Sequence, residues 1–168
     1  MKILIAYDGS PSADHAVDEV VRLPWPAGSE VRLVTVLEQT APVPPEIGVE
    51  LYGPVLEKIR ASQRDAMQAA LDGAAKKFAG RADLKVSVEL REGAVNRSLL
   101  EAIKAFGADL VVAGSHGATA LERIFLGSVS HALVTHAPCS VEIVKKPHAQ
   151  EQAPSDAATA AGASPARR

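Results

Sequence analysis

Three glycines and a serine in the last third of the chain have the spacing of a phosphate-binding loop. Gly114 and Gly117 directly follow a short apolar run, and Gly127 and Ser128 stand before a segment with helical periodicity. Because glycine has no Cβ, the backbone at Gly114 and Gly117 can adopt left-handed conformations and approach a ligand closely. Free N–H groups at a helix start favour a phosphate by about 0.3–1 kcal/mol per charge. The pattern predicts a phosphate cradle.

This loop differs from two common phosphate-binding motifs. It has no Gly-x-x-x-x-Gly-Lys-Ser/Thr, and so no lysine ready to reach the terminal phosphates, and it is not the Gly-x-Gly-x-x-Gly of dinucleotide sites. A purely structural interpretation also stands, in which the glycines form a tight turn and a helix cap. The spacing by itself leaves both interpretations open.

The composition limits what kind of protein could carry such a loop. The 168 residues suit one domain, and 47% hydrophobic with 23% charged residues are typical of globular proteins. Only 4% of the residues are aromatic, so the core must be built from Val, Leu, Ile and Ala, which favours a parallel sheet covered by helices.

Charge and cysteine content exclude several functions and indicate a location. A net charge of −2 without a dense basic run argues against nucleic acid and membrane as partners. A single cysteine, Cys139, cannot form an intramolecular disulfide, and the apolar run at the N-terminus is too short for a signal peptide or a membrane span. We therefore expect a cytoplasmic protein.

Periodicity predicts strands and helices in strict alternation, βαβαβαβαβ. A long loop without periodicity, 39–54, separates the second strand from a long helix whose apolar face carries Leu56, Ile59, Ala66, Ala70 and Ala74. From Pro147 onward the composition is Ala, Pro, Ser and Gln, which predicts a disordered tail after a domain of residues 1–146. The predicted strands are 3–6, 30–37, 84–91, 109–113 and 139–144, and the predicted helices run from Pro11 to before Pro24, 55–78, 98–106 and 128–136.

This alternation predicts the fold class. Right-handed crossovers between parallel strands give a doubly wound α/β protein, a three-layer α/β/α sandwich around a five-stranded parallel sheet. Ligands of such folds bind beyond the carboxyl ends of the strands, where the strand order reverses. Asp8, Leu37 and Gly114 all stand at such ends.

The segment Gly114-x2-Gly117-x9-Gly127-Ser128 resembles the nucleotide-binding signature of the universal stress protein family. Similar landmarks are the opening residues 3–10, the stretch 121–130, and Ala137-Pro138-Cys139 before the last strand, so the resemblance covers roughly residues 1–146. It implies a Rossmann-like fold of the adenine nucleotide alpha hydrolase-like type, with ATP as ligand together with Mg²⁺ or Mn²⁺. It also implies a homodimer through the last strand.

The resemblance assigns roles to individual residues. Asp8 matches an aspartate near the adenosine moiety, and capping of the turn before the first helix is the less favoured alternative. Val36 matches a backbone contact to adenine, and Ala6 and Ala113 match apolar positions lining the base pocket, where a role in the core would explain them as well. The phosphate and ribose contacts are matched by Gly114, Ser115, His116, Gly117, Gly127, Ser128, Val129 and Ser130.

Four other side chains have open roles. The His116 imidazole could act as acid, base or ligand, but an exposed loop side chain with a contributing backbone is the favoured alternative. Arg123 could reach a phosphate or point into water. His136 and Cys139 are too few for a metal site, and Cys139 is expected to pack as a small hydrophobe.

One residue bears on the implied dimer. Glu142 stands where an apolar residue is usual in the last strand, and its charge either opposes edge pairing or faces solvent.

Together these features predict an ATP-binding, nucleotide-dependent signalling or stress-response module with slow or no hydrolysis. One alternative is a slow ATPase or self-phosphorylating protein, since Thr119, Ser128, Ser130 and His116 surround the expected phosphate position. No general base stands out by spacing, and phosphoryl transfer needs positioned charge. Another is an interaction scaffold that kept the fold without the nucleotide. An adenylating enzyme would require signatures that the chain lacks.

Overall fold

The computed structural model describes residues 1–38, 49–117 and 126–145, with the side chains of residues 49–52 left aside. Strands and helices alternate strictly along the chain, as predicted. The strands are β1 Lys2–Ala6, β2 Glu30–Glu38, β3 Lys85–Gly93, β4 Leu110–Gly114 and β5 Ser140–Val144, and the helices are α1 Pro11–Arg22, α2 Val49–Lys76, α3 Val95–Phe106 and α4 Ser128–His136.

All five strands are parallel and lie in the order β3-β2-β1-β4-β5. The strand order reverses between β1 and β4, because the chain adds β2 and β3 on one side of β1 and then returns to the other side. Helices α1 and α2 pack on one face of the sheet with side chains such as Ile5 and Leu33. Helices α3 and α4 pack on the other face with Leu4 and Val111. The predicted three-layer sandwich is confirmed.

Helix α1 is separated from β1 by the four residues 7–10 and begins at a point where the residues are suited to begin a helix. The Ser10 hydroxyl accepts a hydrogen bond from the Ala13 N–H at 3.1 Å, and Pro11 occupies the first helical position. At the other end of α1, the Arg81 guanidinium donates to the carbonyl oxygens of Val21 and Leu23. Both helix ends are thereby fixed close to the sheet.

Helix α2 differs from its prediction in its start and in the face it buries. It begins at Val49 rather than at residue 55, so Pro54 lies inside the helix and residues 49–54 are helical rather than part of the predicted loop. Leu71 and Ala74 are buried, whereas Ile59 is 49% exposed. The cause is length: 28 helical residues span about 42 Å, and the nine-residue strand beneath spans about 30 Å.

The other boundaries move less. Helix α3 begins at Val95 instead of Ser98, because its first turn carries exposed Asn96 and Arg97 and so has no apolar signal. The strands shift by at most two residues. The predicted tail and the boundary at residue 146 lie outside the described residues. Among the helices that the structure describes, none is long and apolar enough to cross a membrane.

Candidate functional site

The carboxyl ends of β1 and β2 remain joined beyond the regular strand pairing. The Tyr7 N–H donates to the Val34 carbonyl at 2.9 Å, and the Thr35 hydroxyl donates to the Tyr7 carbonyl at 2.7 Å. Thr35 is buried, so this link is shielded from water. It fixes the backbone that leads to Asp8 at the point where the strand order reverses.

Three small or apolar side chains form a floor at this edge of the sheet. Ala6 and Ala113 are register partners in adjacent strands, and Val36 lies on β2 two residues beyond Val34, the β2 partner of Ala6. All three lie on the face covered by α3 and α4. Ala113 is buried, while Ala6 and Val36 are only partly buried. The exposed parts of Ala6 and Val36 are apolar and so are suited to contact a flat, weakly polar ligand group.

Asp8 takes the capping role that the sequence left open, and it also lies beside the glycine loop. One carboxylate oxygen, Oδ1, accepts a hydrogen bond from the Ser10 N–H at 3.0 Å. The other, Oδ2, would lie 3.0 Å from a Cβ placed on Gly117. Gly117 therefore permits a close approach between the loop and this carboxylate.

The prediction that Gly114 and Gly117 use left-handed conformations is wrong. The described glycines with positive φ are Gly9, Gly28, Gly93 and Gly107. Gly114 is needed for a different reason, since a Cβ at this position would lie 2.5 Å from Ser12 Oγ and 2.6 Å from the Ser12 carbonyl carbon. The first turn of α1 packs directly on β4 here. Ser12, which also lies 3.4 Å from the His116 N–H, carries no sequence signal for this contact.

Hydrogen bonds from two buried serines and Gly127 hold the loop and helix α4 to the sheet. The Ser115 N–H donates to Val144 at 2.9 Å, and the Ser115 carbonyl accepts from the Gly127 N–H at 3.0 Å. The Ser130 hydroxyl donates to the Gly114 carbonyl at 2.7 Å. Both serines are predicted ligand contacts. In the structure, the Ser115 backbone and the Ser130 hydroxyl make hydrogen bonds that stabilise the fold.

We expect the Ser130→Ala variant to lose about 1–3 kcal/mol of unfolding free energy, because the Gly114 carbonyl loses its hydroxyl partner. Urea unfolding measures this loss. Ser128→Ala is the matched control, since Ser128 is exposed and its hydroxyl makes no hydrogen bond with described residues. Equal stability of the two variants would contradict the role assigned to Ser130.

The start of helix α4 presents uncapped N–H groups to this edge. Gly127 is the N-cap residue, with φ −59° and ψ 156°, and it offers no side chain to the first turn. The N–H groups of Ser128, Val129 and Ser130 have no acceptor within their own helix. Helix α1, in contrast, is capped by Ser10. The α4 end can therefore receive an oxyanion.

His116 is not the exposed loop side chain that the sequence favoured. Its Nδ1 lies 2.9 Å from the Ser115 hydroxyl, which fixes the ring. Its Nε2 is buried and has no hydrogen-bond partner in the part of the chain that the structure describes. The imidazole thus belongs to the packed part of the loop and retains one free hydrogen-bonding atom.

Of the remaining candidates, those that the structure describes contribute little to this site. Thr119 and Arg123 lie outside the described residues. Cys139 packs as a hydrophobe against the core beneath α3 and α4, as predicted, and burial raises the pKa of its thiol. His136 is exposed. Within the described ranges, no group of three or more His, Cys, Asp or Glu residues could hold a metal ion.

The fold and this edge define a parallel α/β protein with a helix start that lacks a side-chain cap where the strand order reverses. Residues 1–145 match the model of the universal stress protein family. The chain belongs to this family, as the resemblance indicated.

Relatives of known name agree with this assignment. The universal stress protein MJ0531 of Methanocaldococcus jannaschii is 34% identical over 149 residues, covering 87% of this chain and 82% of the relative. A universal stress protein of Thermus aquaticus is 32% identical, covering 85% and 97%.

Solved structures share the fold. The universal stress protein UspA from Lactobacillus plantarum has a TM-score of 0.68 at 24% identity, covering 86% of this chain and 97% of its own. A universal stress protein in complex with cAMP has a TM-score of 0.58 at 21% identity, covering 86% and 96%. An Arabidopsis thaliana family member with AMP bound has a TM-score of 0.58 at 18% identity, covering 93% and 97%.

Proposed function

We propose that this protein binds ATP at the carboxyl ends of β1, β2 and β4 and acts as a nucleotide-dependent signalling or stress-response module. The observation that carries the proposal is the start of α4 at Gly127, where three N–H groups have no acceptor within the helix and no side-chain cap among the described residues.

The neighbouring surfaces support the rest of the ligand. Adenine is placed on the apolar floor of Ala6, Val36 and Ala113, and the ribose beside Asp8. The phosphates are placed between the 114–117 loop and the first turn of α4, next to Gly117 and Gly127. Mg²⁺ or Mn²⁺ would accompany the phosphates as a counterion. Solved relatives with cAMP and AMP support an adenine nucleotide as the class of ligand.

The named site residues favour slow or no hydrolysis. Among them, Asp8 and His116 are the titratable side chains, and Asp8 already accepts a hydrogen bond from the Ser10 N–H. Efficient phosphoryl transfer needs positioned positive charge and a group that orients the nucleophile. The buried Ser130 hydroxyl is engaged with Gly114, which argues against its modification.

The proposal predicts that ATP with Mg²⁺ stabilises the purified protein. A ligand that binds only the native state, present at 100 times its dissociation constant, raises the free energy of unfolding by about 2.7 kcal/mol. This corresponds to a rise in Tm of roughly 5–10 °C. Thermal unfolding with ATP, AMP, adenosine and tripolyphosphate separates the base and phosphate contributions. The same samples, followed for ADP release over hours, measure hydrolysis. If none of the four compounds changes the Tm, the protein is a nucleotide-free scaffold and the proposal fails.

The exposed edge of β5 supports the proposed homodimer through the last strand. The N–H group of Ser140 and the carbonyl group of Val144 point toward β4. Because backbone groups alternate along a strand, the N–H and carbonyl groups of Val141 and Ile143 point outward. Glu142 is the register partner of Val112, whose side chain packs under α1. Its carboxylate therefore lies on the α1 face, and it opposes only those pairings that place two Glu142 side chains together.

A further inference from the structure

The opposite edge of the sheet carries a longer strand with a free side. Strand β3 has nine residues, pairs with β2, and has no second strand partner among the described residues. The Lys85 N–H donates to Ser29, which precedes β2, so alternation turns the backbone groups of Val86, Val88 and Leu90 outward. A free row of N–H and C=O groups is a template for another strand.

An apolar groove runs beside this free edge. A cavity of about 590 Å³ lies between the C-terminal half of α2 and β3, lined in part by Ala75, Phe78, Leu84, Val86 and Val88. Val86 and Val88 are only partly buried, since α2 does not cover them completely. A strand added to β3 would place its side chains on this face next to the groove.

From these observations we propose that β3 pairs antiparallel with β3 of a second copy of this chain, with the two-fold axis at Ser87. This register places Val86 opposite Val88 of the second copy and Leu84 opposite its Leu90. Apolar side chains then meet on the groove side of the sheet. This pairing does not depend on nucleotide binding, because β3 is the edge strand farthest from β5 and contains none of the proposed site residues.

Charges on the other face of β3 fit the same register. Lys85 is exposed and has no ion-pair partner within the described ranges. The register brings it opposite Glu89 of the second copy, whose carboxylate also contacts Arg32 and Arg91 of its own chain. It brings Arg91 opposite Asp83, which also contacts Arg81. The neighbouring register, centred on Glu89, would place two carboxylates together. Cross-strand pairs of opposite charge stabilise a sheet, and like charges destabilise it.

Cysteine cross-linking tests the register directly. In a Cys139→Ala background, Ser87→Cys should form a disulfide-linked dimer in a glutathione buffer, since paired residues on the axis have Cα atoms about 4.5 Å apart. Lys85→Cys is the matched control, because its twin in the same register lies about 13 Å away. We expect linkage of Ser87→Cys to be at least about tenfold faster, given these distances.

A charge variant keeps the test specific. Adding Lys85→Glu to Ser87→Cys places carboxylates opposite one another and should slow the linkage several-fold, whereas Lys58→Glu, with the same change in net charge on α2, should not. Equal rates for Ser87→Cys and Lys85→Cys overturn the register, and no linkage of either variant overturns the pairing. A linkage rate of Ser87→Cys that Lys85→Glu does not change also overturns the proposed register. A pairing with an unrelated extended peptide would leave Ser87→Cys unlinked to its twin.

Discussion

The Gly127→Asp variant is expected to lose ATP binding by about 100-fold or more while its fold is unchanged or slightly more stable. Two like charges placed next to each other in a binding site cost several kcal/mol of binding free energy. The backbone of Gly127 is extended, as an N-cap requires, and a Cβ there would meet its nearest atom at 3.5 Å, an ordinary contact. The new carboxylate would therefore cap α4 and occupy the position proposed for a phosphate. Isothermal titration with ATP and Mg²⁺ measures the loss, and thermal unfolding measures the fold.

Two variants at the same position separate charge from shape. Gly127→Asn can cap α4 without a charge and should weaken ATP less than Gly127→Asp does, at a similar gain in stability. Gly127→Ala neither caps nor repels and should lower the stability by up to about 1 kcal/mol, because alanine is a poorer N-cap residue than glycine. If the wild type binds ATP and Gly127→Asp binds it equally well, the phosphates do not lie at the start of α4.

The Gly114→Ala variant is expected to destabilise the fold by about 3 kcal/mol, the upper end of the usual cost of overpacking, because the contacted atoms include backbone. A Cβ at this position would lie 2.6 Å from the Ser12 carbonyl carbon and 2.7 Å from its oxygen. The first turn of α1 would have to move away from β4. In thermal unfolding without ligand, this corresponds to a fall in Tm of roughly 6–12 °C for a domain of this size.

The second variant of this pair identifies the contact. Ser12→Ala removes the hydroxyl, which is the closest atom at 2.5 Å, but it leaves the backbone carbonyl in place. Ser12→Ala combined with Gly114→Ala should therefore remain strongly destabilised. A double variant as stable as Ser12→Ala alone would show that only the hydroxyl obstructs the Cβ and that the helix backbone yields.

Local patterns were sufficient where a signal lies within a few residues. The cap Ser10 followed by Pro11 predicted the start of α1, and the apolar runs predicted each strand to within two residues. The start of α2 was missed because Gly53-Pro54 resembles a turn, although a helix can accommodate the lost hydrogen bond near its N-terminus. Its buried face was misjudged because periodicity does not report where the sheet beneath a helix ends.

The sequence by itself determined the order of strands and helices, the three-layer fold and the family, since these depend on residue type and spacing along the chain. The positions of a phosphate stay a prediction from the same spacing. Only the tertiary structure decided what each glycine in the loop does. Gly114 leaves space for the backbone of Ser12, which is about a hundred residues away in the sequence. Gly117 lies close to Asp8, and Gly127 provides no side-chain cap for α4. Such contacts join distant segments at the edge where the strand order reverses, and no local pattern records the distance between them.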